Sequence, residues 1–434
     1  MAALTDKLNT LRDETLQETN SILQEIADIL ANGPKNPTKV YGFHVDGTES
    51  DPDQMITYLE DSVGMTPASM DYTNDVFDYG SWEDAFFMPK PCILKGNGVV
   101  TKYLKPNDFS HDVDNNEVDL TKTGLASDEN VMIEFPKIWL KIVPDADPKS
   151  GSVYISNRQV DVDYKDWAYI SDSGEHKDFF YISAFPAVVE SETFRSFSGG
   201  KPSEDLTVTE QTDYAEENMD GYYILTNAQV QLINFLTMLI TKSTNIQSKI
   251  GIGMTYSNST AHAAYVTGGK YNKGMFYGTN ANTSAVADDV KIFGIESWYG
   301  FSPKRYAGDI CKYDSTLEKC KILVKMCWFK EDGTNTNVYN ETGDDYVDLE
   351  IEPANDWVSA MTFTEYGMYQ TKSATSGSSS QYYCDKALAS VAVLGYAALG
   401  LAQGGELECG PLGTLRSLAA SSTSVGTITY LTYI

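Results

Sequence analysis

The chain has 434 residues, with 61 Asp and Glu against 32 Lys and Arg, a net charge of −29. A surface this acidic repels phosphate, which argues against broad nucleic-acid binding and against docking on anionic membranes. Apolar residues make up 42% of the chain, enough for real cores, so global disorder is excluded.

Length allows roughly two to three domains. No run of ~18 apolar residues is present to span a bilayer. The start, Met1 to Asp6, has neither the basic n-region nor the apolar h-region of a signal peptide. Residues 1–31 read as an amphipathic helix. Leu4, Leu8, Leu11, Ile22, Ile26 and Ile29 recur at helical spacing, and Asn32-Gly33-Pro34 is a stop signal. Its apolar side predicts self-association. Residues 40–150 have strand character, with short apolar runs such as Cys92-Ile93-Leu94, Val131 to Phe135 and Ile138 to Val143 between turn residues. Phe179-Phe180-Tyr181-Ile182 is the strongest strand signal of the next stretch, and 198–221 reads as a polar acidic loop. A helix is predicted from Thr226 or Asn227 to near Lys242, with Val230, Leu232, Ile233, Leu236, Leu239 and Ile240 as its apolar positions. From 250 onward Gly, Asn, Ser, Thr and Tyr dominate, which predicts short strands and long loops. Residues 386–429 are almost all small or aliphatic, with Tyr396 the one aromatic.

Enzyme signatures are missing. The four histidines, His44, His111, His176 and His262, are scattered and predict solvated loop positions. There is no nucleophile elbow, Walker loop or Rossmann glycine pattern. Six cysteines, at 92, 311, 320, 327, 384 and 409, fit no zinc template. They read as structural thiols of a reducing compartment, with Cys384 and Cys409 as the pair to test. One acidic stretch, Asp112, Asp114 and Asn116, has oxygen ligands at alternate positions. It is a weak Ca²⁺ candidate, because the EF-hand glycine and flanking helices are lacking. No cofactor is expected. The 28 tyrosines suit both strands and binding surfaces.

Several blocks together resemble tail-tip proteins of tailed phages and prophages. They are Pro106 to Ser110, Ser127 to Trp139, Phe180 to Ser183, Arg195 to Gly199, Leu225 to Gln229 with Thr241 to Asn245, Phe293 to Gly300, Arg305 to Gly308, Thr364 to Met368 and Tyr383 to Asp385. Their order and spacing cover roughly residues 90–434. The family ends in a C-type-lectin-like domain of the formylglycine-generating-enzyme type, as in the variable proteins of diversity-generating retroelements. The tail departs from the family pattern in two places: no Trp follows Gly395, and Thr427-Ile428 replace the expected Ala-Arg.

The resemblance implies an α+β, β-rich fold. It would comprise an N-terminal coiled-coil helix (1–33, oligomerising or anchoring), a β-rich middle or shoulder domain (34–175) and a C-terminal C-type-lectin-like domain (176–434). Residues 386–425 would be the variable ligand-binding region. Its outward positions are expected at Lys386, Leu388, Tyr396, Leu399, Gln403, Glu406, Glu408, Thr414, Arg416, Ser417, Ser421 and Thr423. The implied protein is not an enzyme. It is a virion receptor-binding protein at the tail tip, assembled in the bacterial cytoplasm and joined to other tail or baseplate proteins through its N-terminal region. As a homotrimer it would attach to a bacterial surface receptor, protein or glycan, without membrane insertion. A structural baseplate component is the alternative, and a formylglycine-generating-type enzyme the lesser one.

Overall fold

A computed structural model of the chain describes residues 37–254, 263–281, 286, 289–327, 339–340, 342–389, 396–399, 410–416 and 427–434. Three larger sheets dominate. Four strands run in the order Ile56–Glu60, Val40–Val45, Gly151–Ser156, Trp139–Pro144. Seven run in the order Tyr222–Ile224, Leu431–Tyr433, Phe179–Ser183, Glu129–Pro136, Lys90–Lys95, Val100–Lys105, Asp108–Asp112. Six run in the order Val347–Asp348, Lys319–Val324, Lys304–Asp314, Tyr396–Leu399, Thr414–Arg416, Leu388–Ala389.

The strand Glu129–Pro136 shows why the middle sheet is stable. Its β-branched and aromatic residues favour the pleat, and successive side chains face opposite ways. Val131, Ile133 and Phe135 enter the main core, where Phe135 stacks on Phe180 at 4.9 Å. Met132 joins a second core with Cys92, Leu94 and Tyr181 on the other face. A run covered on both faces reads as continuously apolar rather than alternating.

The helix Asn227–Thr241 forms where expected, and all fifteen of its residues are buried. A helix surrounded on all sides is mostly apolar, and its buried polar side chains take partners, as Asn227 does with the Tyr369 hydroxyl. The side chain of Gln229 accepts the Thr226 N–H at its start, and Lys242 takes a left-handed conformation at its end (φ 50°). The early part of the chain docks on it. Phe43 meets Phe235 at 6.3 Å between ring centroids, and the Tyr58 hydroxyl donates to the Leu239 carbonyl at 2.8 Å.

Two expectations are corrected. Among the described residues the architecture is β-rich, with only three short α-helices: Val208–Glu216, Asn227–Thr241 and Ile246–Ile250. Those residues do not form the expected α+β arrangement of a β-rich middle followed by a separate lectin-like C-terminal domain. The C-terminal strand Leu431–Tyr433 lies between Tyr222–Ile224 and Phe179–Ser183 in a sheet that also holds residues 90–136. One sheet therefore spans the 175/176 boundary. The N-terminal helix expected over 1–31 lies outside the described residues.

Second, the acidic stretch 198–221 is not all loop. Helix Val208–Glu216 starts with a capping box, in which Thr207 Oγ1 accepts the Glu210 N–H (3.2 Å) and Glu210 accepts the Thr207 N–H (2.8 Å). Thr207→Ala removes one half of it. The expected loss is about 1 kcal/mol, read as a lower urea midpoint at unchanged slope.

Candidate functional site

Among the described residues, the C-terminal positions expected to face outward are buried or half-buried. Tyr396, Leu399, Thr414 and Arg416 are buried, while Lys386 and Leu388 are half-buried. Gln403, Glu406, Glu408, Ser417, Ser421 and Thr423 lie outside the described residues. The physical reason is sheet position. Tyr396–Leu399 and Thr414–Arg416 are interior strands of the six-stranded sheet, and Tyr396, Leu399 and Leu415 each pack into a core cluster.

Arg416 is instead a buried hub. Its guanidinium forks onto Asp309, Nε to Oδ1 at 2.9 Å and Nη2 to Oδ2 at 2.6 Å, and Nη1 donates to Gln370 at 2.7 Å. Tyr306 donates its hydroxyl to Asp309 at 2.9 Å. Burial by itself lowers the guanidinium pKa, but the Asp309 carboxylate outweighs it and the net shift is upward. Gln370 passes the network on to the Leu412 carbonyl (2.6 Å) and the Thr414 hydroxyl (2.8 Å). The cavity beside Leu399, Thr414 and Arg416 measures about 20 Å³, room for a water and no more. These side chains hold the sheet together and present no ligand surface.

Asp385 anchors the same region. Its buried carboxylate accepts the Leu412 N–H at 2.8 Å. A Cβ at residue 410 would fall 1.9 Å from Asp385 Oδ1, so only glycine fits there. Burial pushes the Asp385 carboxyl up to about 7, against the pull of backbone N–H groups at Leu412, Gly410 and Gly413. A folded-state pKa raised above 3.8 contributes stability that is lost progressively as pH rises from about 4 to about 7. Asp385→Asn lacks this loss. Its Tm relative to the parent is therefore expected to rise between about pH 5 and about pH 7, by on the order of 2 °C, and to level off above. A flat difference across that range contradicts the assignment.

The weak Ca²⁺ candidate is a turn. Asp112 Oδ1 accepts the N–H groups of Asp114 (3.0 Å) and Asn116 (2.8 Å), and Oδ2 accepts Asn116 Nδ2 (3.0 Å). The carboxylate is engaged within its own loop, with Lys102 at 3.9 Å. Among the described residues no group of three or more His, Cys, Asp or Glu is placed to hold a metal. Three histidines each pair with an aspartate: His44 with Asp145, His111 with Asp108 and His176 with Asp166. His262 lies outside the described residues. Cys384 is a free buried thiol, raised to about 12 by burial, and Cys409 lies outside the described residues.

A different set of residues lines one face of the seven-stranded sheet, buried within and exposed at its margin. One register row of the seven-stranded sheet reads Tyr222, Tyr433, Tyr181, Glu134, Lys90, each from a separate strand. Tyr103, opposite Cys92 on the sixth strand, leans into this row. Glu134 is its centre. The Tyr181 hydroxyl donates to Oε2 at 2.9 Å, and the Tyr103 hydroxyl lies 3.0 and 3.2 Å from Oε2 and Oε1. Tyr433 packs between Tyr181 (6.0 Å) and Tyr222 (4.9 Å). Gly98, at φ +75°, leaves room for it, since a Cβ there would lie 2.1 Å from the Tyr433 hydroxyl. Lys90 is exposed, with Nζ 5.7 Å from the Tyr103 ring centroid.

The result is a shelf with a buried floor and an open rim. Glu134 is 3% exposed, while Tyr103 is 37% and Phe179, two residues along from Tyr181 on the same face, 41%. On that face Val208 and Ala215 of the helix share a core with Cys92, Leu94 and Met132. The helix covers that end; Tyr222, Tyr181 and Glu134 within the row are buried, and Lys90, Tyr103 and Phe179 are exposed at its margins. Burial first, and the bond to Glu134 next, raise the Tyr103 phenol to about 12. It therefore stays a protonated donor at neutral pH. None of the shelf residues was singled out by sequence. The one visible signal is Glu134, a carboxylate inside the apolar run from Val131 to Phe135.

Comparison with family models and with curated protein sequences finds no match for the chain.

Proposed function

We propose that this chain is a host-attachment protein of a phage or prophage tail, which meets a bacterial surface receptor through the aromatic shelf around Glu134. The observation that carries this reading is the row of tyrosines with an open rim and a hydrogen-bonded carboxylate floor. Tyr supplies amphipathic contact area at low entropic cost, and a few placed polar groups give orientation. The resemblance over residues 90–434 supports the setting. Its blocks also meet in space: Phe180–Ser183 pairs with Met132–Phe135, and Ala307 N–H donates to the Leu225 carbonyl at 2.9 Å. Presentation in several copies, as a homotrimer attached to other tail proteins, raises weak single-site binding through effective concentration.

The test is adsorption of the purified chain, displayed on beads, to intact bacterial envelopes. Multivalent display is expected to bind a subset of strains where the soluble chain binds weakly. Absence of binding to every envelope contradicts the reading. Mass in solution checks the trimer separately.

A further inference from the structure

Resting on the attachment reading, we propose that the shelf takes a neutral pyranose sugar of a surface glycan, seated on Tyr103 with its hydroxyls read by the Tyr103 phenol and Lys90. Three observations define the occupant. The rim offers flat aromatic faces, Tyr103 and Phe179, at 37% and 41% exposure. Such faces receive the C–H side of a sugar ring while the ring edge stays free for hydrogen bonds.

The polar groups are mixed rather than of one sign. Lys90 supplies donors, and the phenol oxygen of Tyr103, whose proton goes to the buried Glu134, supplies an acceptor. Hydroxyls that both donate and accept match this set better than a phosphate or a carboxylate does. The charges also match. Glu134 and Lys90 are register partners and sum to zero, within a protein of net charge −29. An anionic glycan would gain little at the shelf and be repelled by the rest of the surface.

Tyr103 and Tyr433 stand four strands apart in the sheet, roughly 19 Å, so a single sugar ring meets Tyr103 and only a longer oligosaccharide reaches Tyr433. The site is shallow, which predicts weak binding per copy.

The experiment is ligand-observed saturation-transfer NMR on the full chain. The probes are methyl α-D-glucopyranoside, methyl α-D-galactopyranoside and the methyl glycoside of an anionic sugar, glucuronic acid. Transfer is expected to the ring C–H protons of at least one neutral glycoside and to be weaker for the anionic one. Tyr103→Ala should reduce it by about five-fold or more. Tyr103→Phe, which keeps the ring, should retain most of it. Tyr313→Ala, a tyrosine of matched exposure (38%) on another sheet, should leave it unchanged. No transfer from either neutral glycoside, or transfer indifferent to Tyr103→Ala, overturns the proposal. The two readings fail separately. Envelope binding that survives Tyr103→Ala, without glycoside transfer, sinks the sugar site and leaves attachment through another surface. Tyr103-dependent transfer without any envelope binding keeps the sugar site and removes attachment.

Discussion

Arg416→Ala is expected to lower folding stability by about 3–5 kcal/mol, because it strands a buried carboxylate. The side chains of Arg416 and Asp309 are 2% and 0% exposed. With the guanidinium gone, Asp309 keeps the Tyr306 hydroxyl as a donor and loses both charged bonds. Gln370 Oε1 loses its donor too. An effect this size is a large share of the 5–15 kcal/mol of a typical domain. Guanidinium denaturation reads it directly. The companion is the double variant Arg416→Met with Asp309→Leu. A pair replaced by apolar residues of similar volume no longer leaves a charge unpaired. The double variant is expected to recover more than half of the single variant's loss. A single variant within 1 kcal/mol of the parent contradicts the hub.

Trp298→Ala is the second large effect, again about 3–5 kcal/mol. Trp298 is fully buried, with its indole N–H donating to Asn234 Oδ1 at 3.0 Å and its ring 6.0 Å from Tyr430. Truncation opens a cavity in the main core and leaves an acceptor on the central helix without its indole donor. Asn234 also donates to the Pro411 carbonyl at 2.9 Å, so the disturbance reaches the loop held by Asp385. Trp298→Phe separates the two parts. It keeps most of the volume and removes the hydrogen bond, and should cost about 1–3 kcal/mol. Equal losses for Ala and Phe would mean that the hydrogen bond, rather than packing, dominates at this site.

The sequence was most legible where one period persisted or a run was uniformly apolar. The helix Asn227–Thr241 announced itself through its apolar positions and its stop near Lys242. The strands around Val131 and Phe179 did so through β-branched and aromatic runs. Helix Val208–Glu216 was hidden because it buries only Val208, Gln211 and Ala215. Its apolar stripe is too thin for periodicity, although Thr207 and Glu210 carried a capping signal. The tail misled for another reason. Small residues alternate equally well in a half-exposed strand and in one covered on both faces, so Leu399, Thr414 and Arg416 were read as outward. The boundary between shoulder and lectin-like parts is crossed because Leu431–Tyr433 returns to a sheet begun near residue 90. Pairing with Tyr181 and Tyr222, more than 200 residues away, leaves no local trace. The same distance hid the shelf. Lys90, Tyr103, Glu134, Tyr181 and Tyr433 become neighbours only through strand register.

The central claim is that this shelf is the surface that engages the bacterial cell. The most direct measurement is adsorption of bead-displayed parent, Tyr103→Ala and Tyr313→Ala chains to one strain that the parent binds. The shelf account predicts that Tyr103→Ala loses most of the adsorption while staying folded, with a Tm lowered by the loss of one donor to Glu134, and that Tyr313→Ala matches the parent. Equal adsorption by all three chains contradicts it.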